Sequence, residues 1–249
     1  MSRKPNNIEK IGNKGWKCFL PVIKFIDAGN FLVDENMKSI VNTKIDPWRY
    51  ETLEQYLTNK WITKNDIVLE LGGRLGIVSL TINSKLKNKE HHVVVEPNQK
   101  IIPALKHNKK LFNAQFKICT KVISNKPVKY IIEKDQLGNY TEEINEHNEN
   151  DLSIGNLVET IKHNDFYKHY KLKFNVLVAD CEGCLEKFLD ENEKLLEQLD
   201  LIIFEKDNVD RCNYKKIFKL LKKYDFIFRD GLINNTDDNE NYFQQVWSK

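Results

Sequence analysis

Residues 66–96 read DIVLELGGRLGIVSLTINSKLKNKEHHVVVE, and this stretch decides the fold. Asp66–Leu71 is a short apolar run, and the glycines at 72, 73 and 76 mark a turn. Leu75–Leu86 has the apolar density of a buried helix, and His91–Glu96 is a second apolar run. Strand, tight turn, helix, strand is the unit of a parallel sheet, because parallel neighbours need a crossover and the helix supplies it. The rhythm continues outward. A helix at Gln99–Phe112 is followed by strands at Phe116–Ile123, Val176–Ala179 and Leu201–Phe204, the last two separated by a helical Glu182–Leu199. Lys215–Leu221 sets apolar residues against lysines, and Phe226–Phe228 and Tyr242–Trp247 close the series as strands. VVVE, NVLVA and LIIFE are apolar on both faces, as strands covered on both sides must be.

The expected fold class is therefore α/β: a doubly wound, Rossmann-like, mostly parallel sheet of about seven strands with helices on both faces. Upstream, short apolar runs alternate with Asp27-Ala28-Gly29 and Asp34-Glu35-Asn36, which reads as a β-hairpin extension over residues 1–48. Apolar residues at 50, 53, 56, 57 and 61 give helical spacing over Arg49–Trp61, the start of one domain running from 49 to 249. Glu142, Glu143, Glu146, Glu149 and Asp151 have no Lys or Arg among them, so about 138–153 is expected to be a solvated acidic insertion or mobile lid.

Composition limits the function classes. With 249 residues, 41% hydrophobic and 30% charged, the chain can pack a core and is not disordered. A net charge of +3 means that any polyanion binding needs a local patch. No apolar run reaches the ~18–20 residues of a membrane span, and MSRKPNNIEK has no apolar stretch behind its charges. Cysteines at 18, 119, 181, 184 and 212 are odd in number and scattered. They point to a reducing, cytoplasmic compartment rather than a disulfide framework.

Ligands of open α/β sheets sit outside the carboxyl ends of the strands, so the segments there carry the chemistry. Glu70-Leu71-Gly72-Gly73-Arg74-Leu75-Gly76 follows the first strand and opens a helix. The nicotinamide fingerprint fails because Arg74 stands at its second glycine, and no Gly-Lys-Ser/Thr of a P-loop is present. What remains is acid-x-Gly-x-x-x-Gly, the loop of class I S-adenosylmethionine (SAM) methyltransferases. Glu96 ends the second strand about 20 residues beyond the loop, where a carboxylate accepts both hydrogen bonds of a ribose diol. Pro97 ends that strand and Asn98 can cap the next helix. Asp180-Cys181-Glu182-Gly183-Cys184 and Glu205-Lys206-Asp207 follow the later strands, and acids crowded there suit cations or hydroxyls.

On these residues the chain resembles the FkbM-type methyltransferases. NVLVADCEGCLEKFL is similar to that family's strand and helix, with Asp180, Glu182, Gly183 and Glu186 matching. LVETIKHND resembles the segment upstream of it, and LELGGRLGIVSL the first loop, with Glu70, Gly72 and Gly76 fitting and Gly73-Arg74 departing from the usual Ala-Asn. VVVEPNQKIIPALKHNKKL and KVISNKPVKYII resemble the second strand with its helix and the third strand with its hairpin. The resemblance covers roughly 66–249 and implies SAM as cofactor. Glu70, Gly72, Gly73, Arg74 and Gly76 would lie around its methionine part, Glu96 and Pro97 at the ribose, and Val122 at the adenine. Asp180 would stand beside sulfonium and acceptor. Asp180, Glu182 and Glu205 are then the candidate catalytic residues, and the acceptor a hydroxyl of a sugar, glycan or other small molecule.

Other motifs are read structurally. Cys181 and Cys184 form a C-x-x-C without a second ligand pair for zinc, so two small core thiols are expected, a redox role being the alternative. His91-His92 is expected to be a surface or hydrogen-bonded pair. Lys106, Lys109, Lys110 and Lys215–Lys223 are expected to be solvated helix faces, with no aromatic-rich basic stripe for nucleic acid. An RNA acceptor and an inactive Rossmann-fold binding module remain the other classes. No metal site is expected; a divalent cation between Asp180 and Glu205 is the alternative.

Overall fold

The computed structural model describes residues 3–5, 51–132, 139–144, 156–232 and 243–249. The expected hairpins of 1–48 lie outside these apart from Arg3–Pro5; Arg3 donates to the Trp61 carbonyl and pairs with Asp66. A seven-stranded sheet forms the centre. Its strands are β1 (Val68–Leu71), β2 (His92–Val95), β3 (Lys117–Cys119), β9 (Val176–Ala179), β10 (Leu201–Glu205), β11 (Ile227–Leu232) and β12 (Gln244–Ser248). Their order is β11-β12-β10-β9-β1-β2-β3. All neighbours are parallel except β12, which runs antiparallel to both β10 and β11. The α/β, mostly parallel reading holds.

Period-two alternation divides the core into layers. Leu69, Leu71, Val95, Leu177 and Phe204 face α4 (His163–Tyr170), α5 (Leu185–Glu191), α6 (Leu195–Gln198) and α7 (Tyr214–Lys223), burying Phe166, Leu189, Leu196 and Leu221. Val68, Val176, Val178 and Ile203 face the other way, against Leu57 and Trp61 of α1 (Thr52–Trp61) and Ile82 of α2 (Ile77–Lys85). Val94 packs on Leu105 of α3 (Ile102–Leu111) and on Phe116. Each such aliphatic side chain contributes roughly 1.5–3 kcal/mol by leaving water.

Two expectations need correction. Phe116–Ile123 is not one strand: the chain leaves β3 at Thr120, and β4 (Val122–Ile123) pairs with β8 (Thr160–Ile161) in a separate two-stranded sheet. Glu182–Leu199 is two helices, broken where the buried Asn192 turns its amide back onto the Phe188 carbonyl. The acidic segment is described in part. Its described part lies in β6 (Asn139–Glu143), antiparallel to β5 (Val128–Ile132), which also pairs with β7 (Asn156–Val158). Lys126 and Lys129 neutralise Glu143 and Glu142 across that sheet. Residues 145–153 lie outside the described part.

Candidate functional site

Strand register builds the site. Leu71 pairs with both Val95 and Ala179, and Ala179 with Phe204. The next residue of each strand, Gly72, Glu96, Asp180 and Glu205, therefore stands in one row at the carboxyl edge. The strand order reverses between β1 and β9, the place where open α/β sheets open a crevice. A cavity of about 380 Å³ lies there, walled by Gly72, Arg74, Glu96, Pro97, Asp180 and Glu182, and by Val122, Ile123 and Tyr130 opposite. That volume falls within the ~300–1,000 Å³ usual for small-ligand sites. Glu70, Gly73, Gly76 and Glu205 do not line it.

The glycines serve protein packing more than ligand approach. A Cβ on Gly72, whose φ is +89°, would lie 1.6 Å from the Asp180 carbonyl oxygen. One on Gly73 would lie 2.2 Å from Val94 Cγ1, and one on Gly76 2.8 Å from Leu105 Cδ1. Gly72 and Gly73 both donate to the Val95 carbonyl. Arg74, also left-handed at φ +40°, is held there by its N–H donating to Glu96 Oε2 at 2.7 Å. Asn98 N–H donates to Glu96 Oε1 at 2.8 Å. A carboxylate has about four acceptor positions, so each Glu96 oxygen keeps one lone pair for a ligand. Burial raises the Glu96 pKa, while the Asn98 and Arg74 N–H groups and the Arg74 charge oppose the rise.

Glu70, expected at the cofactor, belongs to the opposite face. It alternates with Leu71, and its carboxylate accepts from Ser79 Oγ at 2.9 Å and meets His92 Nε2 at 2.8 Å in the interior. His92 is thus a core histidine, partnered through Nε2. Glu186 is structural too, accepting from Asn213 N–H at 2.8 Å and from Lys216 at 3.1 Å.

On the acceptor side the carboxylates crowd. Glu54, Asp180 and Glu205 offer oxygens within 4.8 Å of one another, a donor set able to share protons or hold a hard cation. Glu54 is absent from the sequence reading, although it lies on the buried stripe of α1 with Leu57, Thr58 and Trp61. The Gln244 amide donates to it. Burial, then the Asp180 charge, pushes Glu205 up to about 12, so it is protonated at neutral pH and donates to Asp180. Asp180 is itself raised, first by burial. Burial raises both Asp207 and Glu182, and the Asp207 charge adds to the rise in Glu182; hydrogen bonds from Tyr214 to Asp207 at 3.0 Å and from Asn208 to Glu182 at 2.6 Å oppose it.

Glu54 yields a pH prediction. Burial, then Asp180, raises it from 4.5 to about 7. Folding therefore favours its protonated form, so its contribution is full below pH 4.5 and is lost as pH rises through 7. Glu54→Gln mimics the protonated acid and should stabilise the protein at pH 8 by on the order of 2–3 kcal/mol. The difference from wild type should vanish near pH 4.5, the ordinary value of the group. Thermal unfolding across that range is the check; a variant less stable than wild type at pH 8 contradicts the assignment.

The cysteine reading is overturned. Cys181 and Cys184 are joined by a disulfide with Cα atoms 5.4 Å apart, because the left-handed Glu182 and Gly183 fold the intervening turn back on itself. Cys119 and Cys212 are buried free thiols. The lysines of α3 and α7 are solvated as expected, Lys216 and Lys223 pairing with Glu186 and Glu193. No helix among the described residues is long and apolar enough to cross a membrane.

No family model matches the chain, and no curated protein matches it. Among solved structures it is similar to the SAM-dependent O-methyltransferase of Thermotoga maritima, with 10% identity over 88% of this chain and 72% of that one and a TM-score of 0.48. It is similar to an rRNA methylase of Streptococcus thermophilus, with 9% identity over 78% and 93% and a TM-score of 0.46. It is also similar to the ribosomal protein L11 methylase of Lactobacillus delbrueckii subsp. bulgaricus, with 12% identity over 78% and 75% and a TM-score of 0.45. Methyltransferases of different acceptors are thus its structural neighbours.

Proposed function

We propose that the protein is a SAM-dependent methyltransferase of the FkbM type that methylates a hydroxyl of a sugar, glycan or other small molecule. The observation that carries this is the row Gly72, Glu96, Asp180 around one cavity at the switch point of the sheet. The donor set suits the cofactor. The remaining lone pairs of Glu96 fit a ribose diol, and Val122, Ile123 and Tyr130 offer an apolar wall for adenine. Arg74, whose charge acts on Glu96, Asp180 and Glu182, would hold the methionine carboxylate. Bound there, SAM supplies an electrophilic methyl on a sulfonium.

The chain's own task is to place an acceptor oxygen in line, exclude water and take its proton. Asp180 is the proposed base or hydroxyl clamp, oriented by the protonated Glu205; Glu182 flanks the acceptor. The cluster is read as metal-free, Glu205 sharing its proton with Asp180 and the Gln244 amide donating to Glu54, and the chelator arm below tests the metal-bound version. Acids outnumber the cations Arg74, Lys187 and Arg211 on the cavity wall, which favours a neutral acceptor over RNA.

Calorimetry with SAM and S-adenosylhomocysteine on folded protein tests the reading, and absence of heat for both removes it. Glu96→Ala should weaken binding by about 1–3 kcal/mol through loss of charged hydrogen bonds. Glu96→Gln keeps one acceptor and should lose less. Methyl transfer from labelled SAM to sugars, glycans and RNA, with and without chelator, distinguishes the acceptor classes and the metal-dependent version.

A further inference from the structure

The disulfide lies where the site is assembled. Cys181 directly follows Asp180, Cys184 precedes α5, and both line the cavity while remaining half-buried, so a small thiol entering the cavity can reach them. Cys119 and Cys212 are sealed in the core, and burial raises both thiols. The bridged turn is costly to hold. Glu182 is left-handed at φ +55° without being glycine, and Gly183 follows at φ +88°. Besides the disulfide, the turn has a Cys184 N–H bond to the Cys181 carbonyl at 3.2 Å, the bond from Asn208 to Glu182 at 2.6 Å and a Gly183 N–H bond to the Asp207 carboxylate. It abuts the cofactor loop: the Asp180 carbonyl fills the space beside Gly72, and the Asp180 N–H donates to the Leu71 carbonyl at 3.0 Å. Movement of the turn therefore reaches Gly72 through backbone contact.

We propose that Cys181–Cys184 is a reversible thiol–disulfide site, exchanging with a small or protein dithiol, whose oxidised form locks the Asp180 turn against the Gly72 loop and whose reduced form loosens both. The exchange is balanced. A thiolate of the dithiol attacks one sulfur and breaks the Cys181 Sγ–Cys184 Sγ bond, its second thiol resolves the mixed disulfide, and two electrons and two protons pass to the protein as the reductant becomes a disulfide. The effect on binding rests on the cofactor reading above; the exchange does not.

The test uses the full chain purified without thiols, then divided and half of it reduced with dithiothreitol. Peptide mapping after alkylation should show 181 and 184 bridged in the first sample and alkylated in the second. Reduction should weaken S-adenosylhomocysteine binding by about three- to tenfold, the cost of ordering one or two residues on binding. Hydrogen exchange in 72–76 and 180–184 should rise. Cys181→Ser/Cys184→Ser should bind like the reduced protein and ignore dithiothreitol. Free thiols at both positions in the aerobic sample overturn the proposal, as does equal affinity of the two forms. If neither form binds the ligand, the cofactor reading falls and hydrogen exchange alone decides: faster exchange at 72–76 on reduction upholds the redox site, and unchanged exchange ends it.

Discussion

Asp180→Asn is expected to keep S-adenosylhomocysteine affinity within a few-fold while turnover falls by roughly 10²–10⁴, the worth of a general base. Asparagine preserves volume and still accepts from Glu205, so the fold and the Gly72 contact should survive. What it loses is the capacity to take a proton. The pH profile adds a second readout. Burial raises Asp180, so the ascending limb of wild-type activity should lie above the ordinary carboxylate range and should be missing from the variant. Labelled methyl transfer across pH 4–9 measures both. An Asp180→Asn protein with full activity would return the whole acid cluster to a structural role.

Gly72→Ala should lower stability by about 2–5 kcal/mol and abolish cofactor binding. Two costs combine. A non-glycine residue in the left-handed region loses roughly 1–2 kcal/mol, and overpacking adds about 1–3 more. The obstacle is rigid: the new Cβ would meet the Asp180 carbonyl at 1.6 Å, and that carbonyl belongs to the end of a buried strand. Relief requires β1 and β9 to separate at their carboxyl ends, which opens the row that holds Glu96 and Asp180. Denaturant unfolding and calorimetry give the two numbers; native stability with native affinity would show that the loop is misplaced.

The parallel sheet is legible because β1, β2, β9 and β10 are short, mostly apolar runs, each followed by or ending on a glycine or an acid. That ending also exposed Gly72, Glu96, Asp180 and Glu205. Which face of the sheet a residue takes is not part of a motif match. Glu70 sits one position from Leu71 and so points to the opposite layer, a consequence of the period of two that a motif match ignores. Glu54 carried a signal, an acid on the apolar stripe of α1, but nothing local says which strand ends that helix will cross. Of the β5–β6 hairpin, VKYII falls within the stretch similar to a third strand and its hairpin, whereas NYTEE is too polar and charged to read as strand. Its lysines and glutamates balance across the pairing, and Tyr130, Glu142 and Glu143 reach the cavity from it. Spacing alone cannot tell whether a C-x-x-C is oxidised.

The pairing of β1 with β9 orders events in time as well as residues in space. β1, α2 and β2 are contiguous, so Gly72 and Glu96 come together by closing a short loop. Val68 meets Val176 only after the whole intervening chain has been drawn in. Parallel pairings across such separations form slowly, since loop entropy must be overcome before any contact rewards it. The half of the crevice with Gly72 and Glu96 can thus exist in a partly folded chain, whereas the half with Asp180 and Glu205 arrives with the last docking. A chain caught between the two stages would hold Glu96 beside Gly72 and lack Asp180 and Glu205 across from them.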